Sequence, residues 1–380
     1  MQRLPRSDAK FQLSKPQQGI PERATAGASR RATPLVGLAG SEFKGAEDHD
    51  GTSVHGLRLP SPLDSELTNE QWSDLTRRVL EIGGPIDSGF EALVAKNEWV
   101  LVLVDLGAGQ VPDVRAPAVT DPRIVRGVVE YLLEKGRGGR ITIGGAPPLD
   151  VDTDRVWDED WGGAFGGASY RSILEELKES FPKANLELAD LNRSGSIAMP
   201  VRGYPLAGRN PGGMITVARP FQQCDSAVCV APLKTHTEMG VGLGLGTYLS
   251  LASQPHYGKG WSGLRELGRP AEFAVDLFTI RPAEFIVLGG GWSVEGDGKA
   301  IRHNVVLAGT RVVSVDAVAA SAMGFKPEEL ELLHLAGKKG FNTDDLDGIV
   351  YYIWIRGNEI EQVRRTYKKP SSWKPYAAAS

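Results

Sequence analysis

Residues 99–104 read WVLVLV, a continuous apolar run that ends at Asp105. Such a run is typical of a strand buried on both faces of a parallel sheet. Thr120-Asp121-Pro122 then supplies an N-cap with proline at the first helical position, and the helix that follows ends at Gly136. A second run at residues 140–144, RITIG, indicates another strand. The sequence therefore predicts a β-α-β unit with two parallel strands.

Strand-like and helix-like segments alternate on both sides of this unit. Before it, Thr68 and Gln71 form a capping-box pattern that opens a helix ending at Gly83-Gly84. After it, strands are predicted at residues 186–189, 199–202, 214–218, 227–231, 284–288, 311–315 and 348–354, and helices at 169–181, 271–278, 317–323 and 327–336. The alternation predicts an α/β fold. We expect a largely parallel, doubly wound-like sheet with helices on both faces and a long loop insertion at residues 145–168.

The chain of 380 residues divides by composition into three parts. Residues 1–65 are rich in Pro, Gly, Ser, Arg and Gln without a sustained period, which favours a flexible or loosely docked arm. Residues 66–366 show no linker-like break and are interpreted as one large domain. Residues 367–380 are predicted to form a disordered tail. The last predicted strand, at 348–354, has alternating character and is expected at an edge of the sheet.

Composition indicates which classes of partner to expect. Hydrophobic residues make up 41% and charged residues 24% of the chain, which is normal for a globular protein. A net charge of −4 argues against a general binder of nucleic acid or anionic membranes. No signal peptide or membrane-spanning run is predicted, so the expectation is a cytoplasmic protein with a small-molecule ligand. The oligomeric state is left open.

The two cysteines, Cys224 and Cys229, lie five positions apart on a predicted strand. An extended chain would separate their Cα atoms by roughly 16 Å and point the side chains to opposite faces. A disulfide between them is therefore excluded, and two cysteines are too few for an iron–sulfur cluster. The interpretation is a pair of buried, inert thiols.

The stretch from Cys224 to Ser250, CDSAVCVAPLKTHTEMGVGLGLGTYLS, contains the strongest site candidate. A buried strand leads directly into Lys234-Thr235-His236, and open α/β sheets bind ligands beyond such strand ends. Lys234 is a candidate anion clamp or desolvated base, and His236 a candidate general acid/base or metal ligand. Glycines after this triplet would let backbone approach a ligand. The predicted substrate-binding residues are Thr235, Gly240, Gly242, Gly144, Gly145, Asp105 and Glu295.

Several known motifs are tested and rejected. Gly242-x-Gly244 is followed by Thr247 where a dinucleotide-binding fingerprint needs glycine. The P-loop, the zinc-protease H-E-x-x-H and the G-x-S-x-G elbow do not occur. The acidic run starting at Asp150 has Arg155 and Trp161 where a calcium loop needs glycine and glutamate. No cofactor or metal site is assigned, and the 145–168 insertion is interpreted either as a lid over the site or as an ordinary insertion.

Six segments together resemble the family named domain of unknown function 362. They are Ile82-Gly83-Gly84, the strand ending at Asp105, the segment from Thr120 to Val125, the stretch Cys224–His236, Val294–Gly298, and Ser314–Ala320 with Met323-Gly324. The resemblance covers roughly residues 70 to 355. The family is largely uncharacterised, and many members carry a ferredoxin-type module, which implies redox chemistry for those members.

Two departures from that family bear on function. The ferredoxin cysteine set is missing, and the family's Thr-x-x-x-Lys-Asn-x-x-Gly stretch corresponds here to Gly242, Gly246, Thr247 and Ser250. The presumed site has thus lost polar or charged groups, which implies a less anionic ligand or a lost activity. A fainter resemblance to nickel-pincer lactate racemases rests on the histidine-then-glycine loop and also lacks a matching lysine.

Three functions are compatible with these residues. The first is an isomerase- or lyase-like enzyme acting on a small polar or carboxylate-bearing metabolite, in which Lys234 orients the substrate and His236 transfers a proton. The second is a redox or metal-dependent enzyme in which His236 and carboxylates such as Asp105 hold an ion or cofactor. The third is a non-catalytic binding protein. The sequence favours the first.

Overall fold

A computed structural model of the chain describes residues 35–40, 66–85, 87–107, 119–210, 212–341, 350–353 and 364–376. Within these residues the strands are β1 Leu35–Gly40, β2 Trp99–Val104, β3 Arg140–Gly145, β4 Leu186–Asp190, β5 Ser196–Pro200, β6 Met214–Ala218, β7 Ser226–Ala231, β8 Thr235–His236, β9 Gly240–Val241, β10 Phe285–Glu295, β11 Lys299–Gly309 and β12 Val350–Ile353. The helices are α1 Asn69–Gly83, α2 Pro122–Glu134, α3 Thr153–Asp158, α4 Tyr170–Ser180, α5 Arg219–Gln223, α6 Leu243–Thr247, α7 Gln254–Tyr257, α8 Ser262–Leu267, α9 Pro270–Ile280, α10 Val312–Ala322 and α11 Glu331–Lys338.

An eight-stranded sheet organises the fold, in the order β12-β1-β11-β10-β7-β2-β3-β4. Strand β11 runs antiparallel to both of its neighbours, and the other adjacent strands of this sheet run parallel. Two ribbons, β5–β6 and β8–β9, lie outside it. The predicted largely parallel sheet and the β2-α2-β3 unit are therefore confirmed.

Helices cover both faces of the sheet, as a doubly wound arrangement requires. Alternate residues of a strand point to opposite faces, so Val102 of β2 packs with α1, α2 and α4. Its neighbour Leu103 packs on the other face, where α5, α6, α9, α10 and α11 form a second apolar cluster. The same alternation in β7 directs Val230 to the first cluster and Cys229 to the second. The central strands are buried on both sides, which explains their unbroken apolar sequences.

Local signals placed several helix boundaries correctly. Thr68 and Gln71 form the predicted capping box at the start of α1. Asp121 caps α2 by accepting from the backbone N–H of Arg123, and Pro122 occupies the first turn. None of the helices in the described part of the chain has the length and apolar character needed to span a bilayer.

The predicted strand at residues 311–315 is wrong, because these residues begin helix α10. Every residue of α10 is buried, so the helix has no solvent-exposed polar face and its sequence shows no helical periodicity. A short apolar run of this kind is compatible with either a strand or a buried helix. The strand predicted at residues 284–288 is longer in the structure, because β10 continues through glycines 289–291, where its pairing with β11 shifts register.

The predictions of a flexible or loosely docked arm at residues 1–65 and of a disordered tail at residues 367–380 are partly wrong. Residues 35–40, within the predicted arm, form β1 between β11 and β12; the rest of the arm lies outside the described residues. Residues 367–376, predicted as a disordered tail, are described and pack onto the domain, with Tyr367 and Trp373 buried. Both segments are too short to show a period on their own, and their order comes from contacts with distant elements. The edge position predicted for the last strand is confirmed by β12.

Gly244 in α6 provides a test of the packing between this helix and the sheet. A Cβ atom at Gly244 would lie 1.9 Å from Ile286 Cδ1 and 2.9 Å from Asp316 Oδ1. We expect Gly244→Ala to lower the free energy of unfolding by about 1–3 kcal/mol through overpacking. Urea unfolding would measure the effect as a lower midpoint concentration of urea at an unchanged m-value.

The matched control is Gly246→Ala in the same helix. Its Cβ would meet only the flexible end of Met239, at 3.3 Å. Alanine is favoured over glycine in a helix by up to about 1 kcal/mol, so this variant should be neutral or slightly stabilised. Equal destabilisation of both variants would contradict the packing explanation.

Candidate functional site

The carboxyl ends of β2 and β7 meet at the point where the strand order of the sheet reverses. From β2 the chain moves outward through β3 to β4, whereas β7 lies on the opposite side of β2. Crevices at such reversal points are where open α/β sheets bind their ligands. Asp105 follows β2 directly, and Lys234 lies three residues beyond the end of β7. The fold therefore brings these two predicted residues to one place.

Asp105 and Lys234 form an ion pair between Oδ2 and Nζ. Their side chains are only 10% and 16% exposed, so water screens the pair weakly. The other carboxylate oxygen, Oδ1, accepts from the backbone N–H of Gly107 at 2.9 Å. Removing either partner would leave a largely buried charge uncompensated, so each side chain constrains the position of the other.

Thr120 connects the two strand ends that carry this pair. Its hydroxyl donates to the carbonyl oxygen of Val230 at 2.8 Å and accepts from the backbone N–H of Asp105 at 2.9 Å. Its own N–H donates to the Asp105 carbonyl oxygen. One buried side chain thus joins the end of β2, the start of α2 and the end of β7.

Strands β8 and β9 with their connecting turn form a short hairpin, residues 235–241, which we name the site hairpin. Thr235 pairs with Val241 and His236 with Gly240. At its base, Lys234 forms a bridge with Val294, and the Thr235 hydroxyl donates to the carbonyl oxygen of Gly296 at 2.8 Å. The predicted ligand-binding hydroxyl of Thr235 is therefore engaged by the β10–β11 turn.

The imidazole of His236 is fixed by its own turn. Its Nδ1 atom accepts from the backbone N–H groups of Glu238 and Met239, each at 3.2 Å. An Nδ1 that accepts must be unprotonated, which places the proton of the neutral ring on Nε2. Burial and the nearby Lys234 ammonium lower the pKa of His236 to about 4. At neutral pH His236 is therefore an uncharged ring that offers an Nε2–H donor.

The glycines from Gly240 onward, at the end of the site hairpin and beyond it, lie close to other protein atoms. A Cβ at Gly242 would lie 3.0 Å from Lys234 Cε, and one at Gly240 would lie 2.7 Å from the Trp373 indole. The N-terminal N–H groups of α6, on Gly244 and Leu245, donate to Asp316 at 3.0 and 2.9 Å. The glycines thus allow dense packing around Lys234; a ligand-binding role for Gly240 and Gly242 stays a prediction.

Asp316 follows the strand predicted at residues 311–315 and precedes the helix predicted at 317–323, a position that predicts a cap of that helix. In the structure it lies inside α10 and accepts from the first N–H groups of α6 instead. Burial raises the pKa of Asp316 to about 7, although its two backbone N–H partners act in the opposite direction. The carboxyl group of Asp316 therefore anchors the distant helix α6 rather than capping its own helix.

Three other predicted site residues contact the surrounding structure. Gly144 and Gly145 end β3, where added Cβ atoms would meet Leu101 Cδ1 at 2.9 Å and Leu106 side-chain atoms at 2.7 Å. Glu295 is buried and accepts from the backbone N–H of Lys368 at 2.9 Å. Close packing therefore explains the two glycines, and anchoring of residues 364–376 explains Glu295. A ligand-binding role for the three residues stays a prediction.

The acidic insertion is folded rather than open. Asp152 caps α3, Asp154 and Asp158 pair with Arg171, and Asp150 pairs with Lys259. These partners account for the acidic run without a calcium ion. Aromatic side chains of the insertion, Trp157, Trp161 and Phe165, are buried against the cluster that contains α2 and α4. Its proposed role as a lid stays a prediction.

Both cysteines are free and buried, as predicted for Cys224 and Cys229. Burial raises the pKa of the Cys224 thiol to about 11, and it also raises that of Cys229. Cys224 lies just before β7 rather than on it. Over the described ranges, no group of three or more His, Cys, Asp or Glu side chains is arranged to hold a metal ion.

With this geometry defined, a comparison with protein-family models gives one family match. The model of "Domain of unknown function (DUF362)" matches residues 100–321, more than half of the chain. The chain belongs to this family. The match includes the strand that ends at Asp105, the Lys234-Thr235-His236 triplet and most of α10, so the resemblance noted in the sequence is confirmed.

No curated protein matches the chain. Among solved structures, the DUF362 chain is similar to the lactate racemase apoprotein from Thermoanaerobacterium thermosaccharolyticum, with 14% sequence identity and a TM-score of 0.35. The similarity covers 63% of this chain and 52% of the racemase. The chain thus spans about half the length of that structure.

Sequence reasoning named most of the side chains at the site but not their connections. Asp105 and Lys234 were selected separately, as residues that follow buried strands, and not as partners. Thr120 was read only as part of a helix start, and Trp373 was not singled out. Only the order of strands in the sheet makes β2 and β7 neighbours.

A double-mutant cycle would test the Asp105–Lys234 pair. We expect Asp105→Asn and Lys234→Met each to lower the free energy of unfolding by about 3 kcal/mol, because each removes the opposite charge from a largely buried partner. The double variant should lose clearly less than the sum of the two. Urea unfolding of the four proteins would give the coupling energy.

The control cycle uses the exposed pair Asp150–Lys259, whose side chains are 52% and 65% exposed. Water and salt screen such a pair, so no measurable coupling is expected there. Equal coupling energies in the two cycles would contradict the claim that burial strengthens the Asp105–Lys234 pair.

Asp316 should make stability depend on pH in a defined direction. Its folded pKa of about 7 lies above the ordinary value of 3.8, so the folded state binds more protons between these pH values. Its contribution is therefore greatest below about pH 4 and is lost as pH rises towards 7. The stability difference between wild type and Asp316→Asn should fall across this window, by at most about 1.4 kcal/mol per pH unit. A constant difference between pH 4.5 and 7.5 would contradict this assignment.

Proposed function

We propose that this DUF362 chain is an enzyme that performs acid/base chemistry, of an isomerase- or lyase-like kind, on a small carboxylate-bearing metabolite. The observation that carries the proposal is the buried Asp105–Lys234 pair at the reversal point of the sheet, with His236 two residues beyond Lys234. Charged groups at such a reversal point lie where open α/β sheets bind their ligands.

Lys234 supplies the positive charge that would bind the substrate's carboxylate. An ammonium group has three donors, so a substrate carboxylate can share Lys234 with Asp105. Asp105 also fixes where the ammonium lies, through its pairing and its own bond from Gly107. A preorganised cation of this kind does not have to reorient during the reaction.

His236 would act as an electrophile through Nε2–H. Its neutral ring can donate a hydrogen bond to a substrate oxygen on which negative charge develops. The proton released from the neighbouring carbon would pass to the carboxylate of Asp105, the base that the site supplies. The accepting Nδ1 holds the ring in this orientation. The geometry therefore favours a donor role for His236 over the general-base role that the sequence also allowed.

The reaction class can be tested by solvent exchange. The purified protein would be incubated in D₂O with a panel of three- to six-carbon hydroxy acids, oxo acids and dicarboxylates, and loss of α-proton signals followed by ¹H NMR. We expect exchange or conversion of at least one member. Turnover that requires a bound metal or redox group, shown by metal analysis and an absorbance spectrum, would favour the redox alternative instead.

Two substitutions of His236 separate its two nitrogen atoms. In His236→Asn, Oδ1 can replace Nδ1 as acceptor for the turn while the Nε2–H donor is lost. In His236→Gln, the amide N–H lies near the position of Nε2 and the turn acceptor is lost. We expect the asparagine variant to lose about 10²-fold or more in kcat with unchanged thermal stability, and the glutamine variant to lose less.

Lys234→Met should raise KM for every carboxylate that the enzyme accepts, because the cation that binds it is gone. Full turnover by both Lys234→Met and His236→Asn on the identified substrate would exclude the proposal. Ligand-induced shifts in Tm for panel members without any exchange would show a binding protein instead.

A further inference from the structure

The C-terminal segment, residues 364–376, is anchored on the domain at both ends. At its start, the backbone N–H of Tyr367 donates to the Met323 carbonyl oxygen, and the Tyr367 hydroxyl lies 2.9 Å from Nδ1 of buried His303. At its end, the backbone N–H of Tyr376 donates to the carbonyl oxygen of Glu329. Residues between these anchors therefore have a defined path across the surface.

That path crosses the β10–β11 turn. The Lys368 N–H donates to a carboxylate oxygen of Glu295, and the Lys368 carbonyl oxygen accepts from Gly296 at 2.7 Å. The Ser371 N–H donates to Asp297 at 3.0 Å. The same turn accepts the Thr235 hydroxyl at Gly296, so it connects the segment to the base of the site hairpin.

Further along, the segment contacts the site hairpin directly. The Ser372 hydroxyl donates to the Thr237 carbonyl oxygen at 3.0 Å. The Trp373 indole is buried and lies against Gly240, where an added Cβ would be 2.7 Å from indole atoms. Phe325 supports the indole from another side, with ring centroids 5.4 Å apart. One contact falls on the turn that follows His236, and the other on Gly240, which pairs with His236.

The site hairpin has few stabilising interactions of its own. Its two strands have two residues each, and a two-stranded ribbon of any length is marginal in water. Gly240 has a φ of +82°, a conformation that only glycine adopts easily. The orientation of His236 depends on the N–H groups of Glu238 and Met239 inside this turn. External contacts are therefore needed to keep the imidazole in one place.

We propose that Trp373 and Ser372 are positioning residues, which hold the turn of the site hairpin so that His236 presents its Nε2–H to the candidate site. Their role in turnover rests on the proposed function, whereas their effect on the imidazole does not. Neither side chain needs to touch a substrate to act in this way. Losing them would release the turn, expose the ring to water and allow Nδ1 to become protonated.

The charges around His236 come from several elements. Lys234 at the base of the hairpin and Arg265 on α8 disfavour protonation of the ring, while Glu238 in the turn and Asp105 beyond β2 favour it. Arg265 and Glu238 also pair with each other. Because desolvation is the largest influence on this ring, release of the turn should raise the pKa of His236 towards its ordinary value of 6.5.

The experiment is a pH titration of the His236 ring by NMR, using selective ¹⁵N-histidine labelling. The chain contains six histidines, and the spectrum of His236→Asn identifies the signals of His236 by their absence. In the wild type, Nε2 should carry the proton at neutral pH. In Trp373→Ala we expect the His236 titration to move upward by at least about one pH unit, a tenfold change in proton affinity, with a mixture of the two tautomers.

Tyr376→Ala is the matched control. It removes an aromatic ring from the same segment, and that ring packs on His334, with centroids 4.6 Å apart. It should change the signals of His334 and leave those of His236 in place. An unchanged His236 titration in Trp373→Ala, or the same shift in Tyr376→Ala, would overturn the proposal.

Two milder variants keep the test decisive if Trp373→Ala does not fold. Trp373→Phe retains an aromatic ring and should restore most of the wild-type titration. Ser372→Ala removes only the bond to Thr237 and should give a smaller shift in the same direction. If Trp373→Ala fails to fold and Ser372→Ala titrates as the wild type, the contact is structural only and the positioning role is rejected.

The outcome is separable from that of the proposed function. If His236 has no catalytic role, the NMR shift will still appear in Trp373→Ala, but His236→Asn will retain full turnover. If the positioning role is wrong, His236→Asn will lose turnover while the His236 titration in Trp373→Ala stays that of the wild type. Each result therefore points to one of the two ideas.

Discussion

The pairing of Asp105 with Lys234 is the constraint on which the rest of the site depends. The two residues are 129 positions apart in sequence, yet their side chains meet where little water reaches. An unpaired charge at that position would be strongly unfavourable, so the pair requires the ends of β2 and β7 to stay adjacent. The same requirement places a cation and a carboxylate at the point where an α/β sheet accepts a ligand.

Successive layers of contacts support this pair. Thr120 joins the two strand ends from one side, and the bridge between Lys234 and Val294 joins them to β10 from the other. The β10–β11 turn holds Thr235, and the C-terminal segment holds both that turn and the site hairpin. A short ribbon that would be marginal alone is thus fixed by two separate parts of the chain, the β10–β11 turn and the C-terminal segment. Such support is what a site needs if its groups are to be preorganised.

The glycines of helix α6 also contribute to the packing that supports the site. The helix has no side-chain cap of its own, and Asp316 from α10 satisfies its first N–H groups. Only a residue without a side chain allows that carboxyl and Ile286 to approach Gly244 so closely. Glycines 242, 244 and 246, which follow the Lys-Thr-His motif, lie close to side chains of Lys234, Ile286 and Met239. The chemistry we propose accordingly relies on Lys234, Asp105 and His236.

The sequence by itself determined the fold class, the β2-α2-β3 unit, the helix caps at Thr68 and Asp121, and the triplet from Lys234 to His236. These features depend on local patterns, namely apolar runs, capping residues and the residue types that follow a buried strand. Tertiary structure alone decided that Asp105 pairs with Lys234, that Asp316 anchors a distant helix, that residues 311–315 are helical, and that Trp373 lies on the hairpin of His236. Those outcomes depend on which strands become neighbours and on how completely a segment is buried. Both are set by contacts between residues far apart in the chain, which no local pattern records.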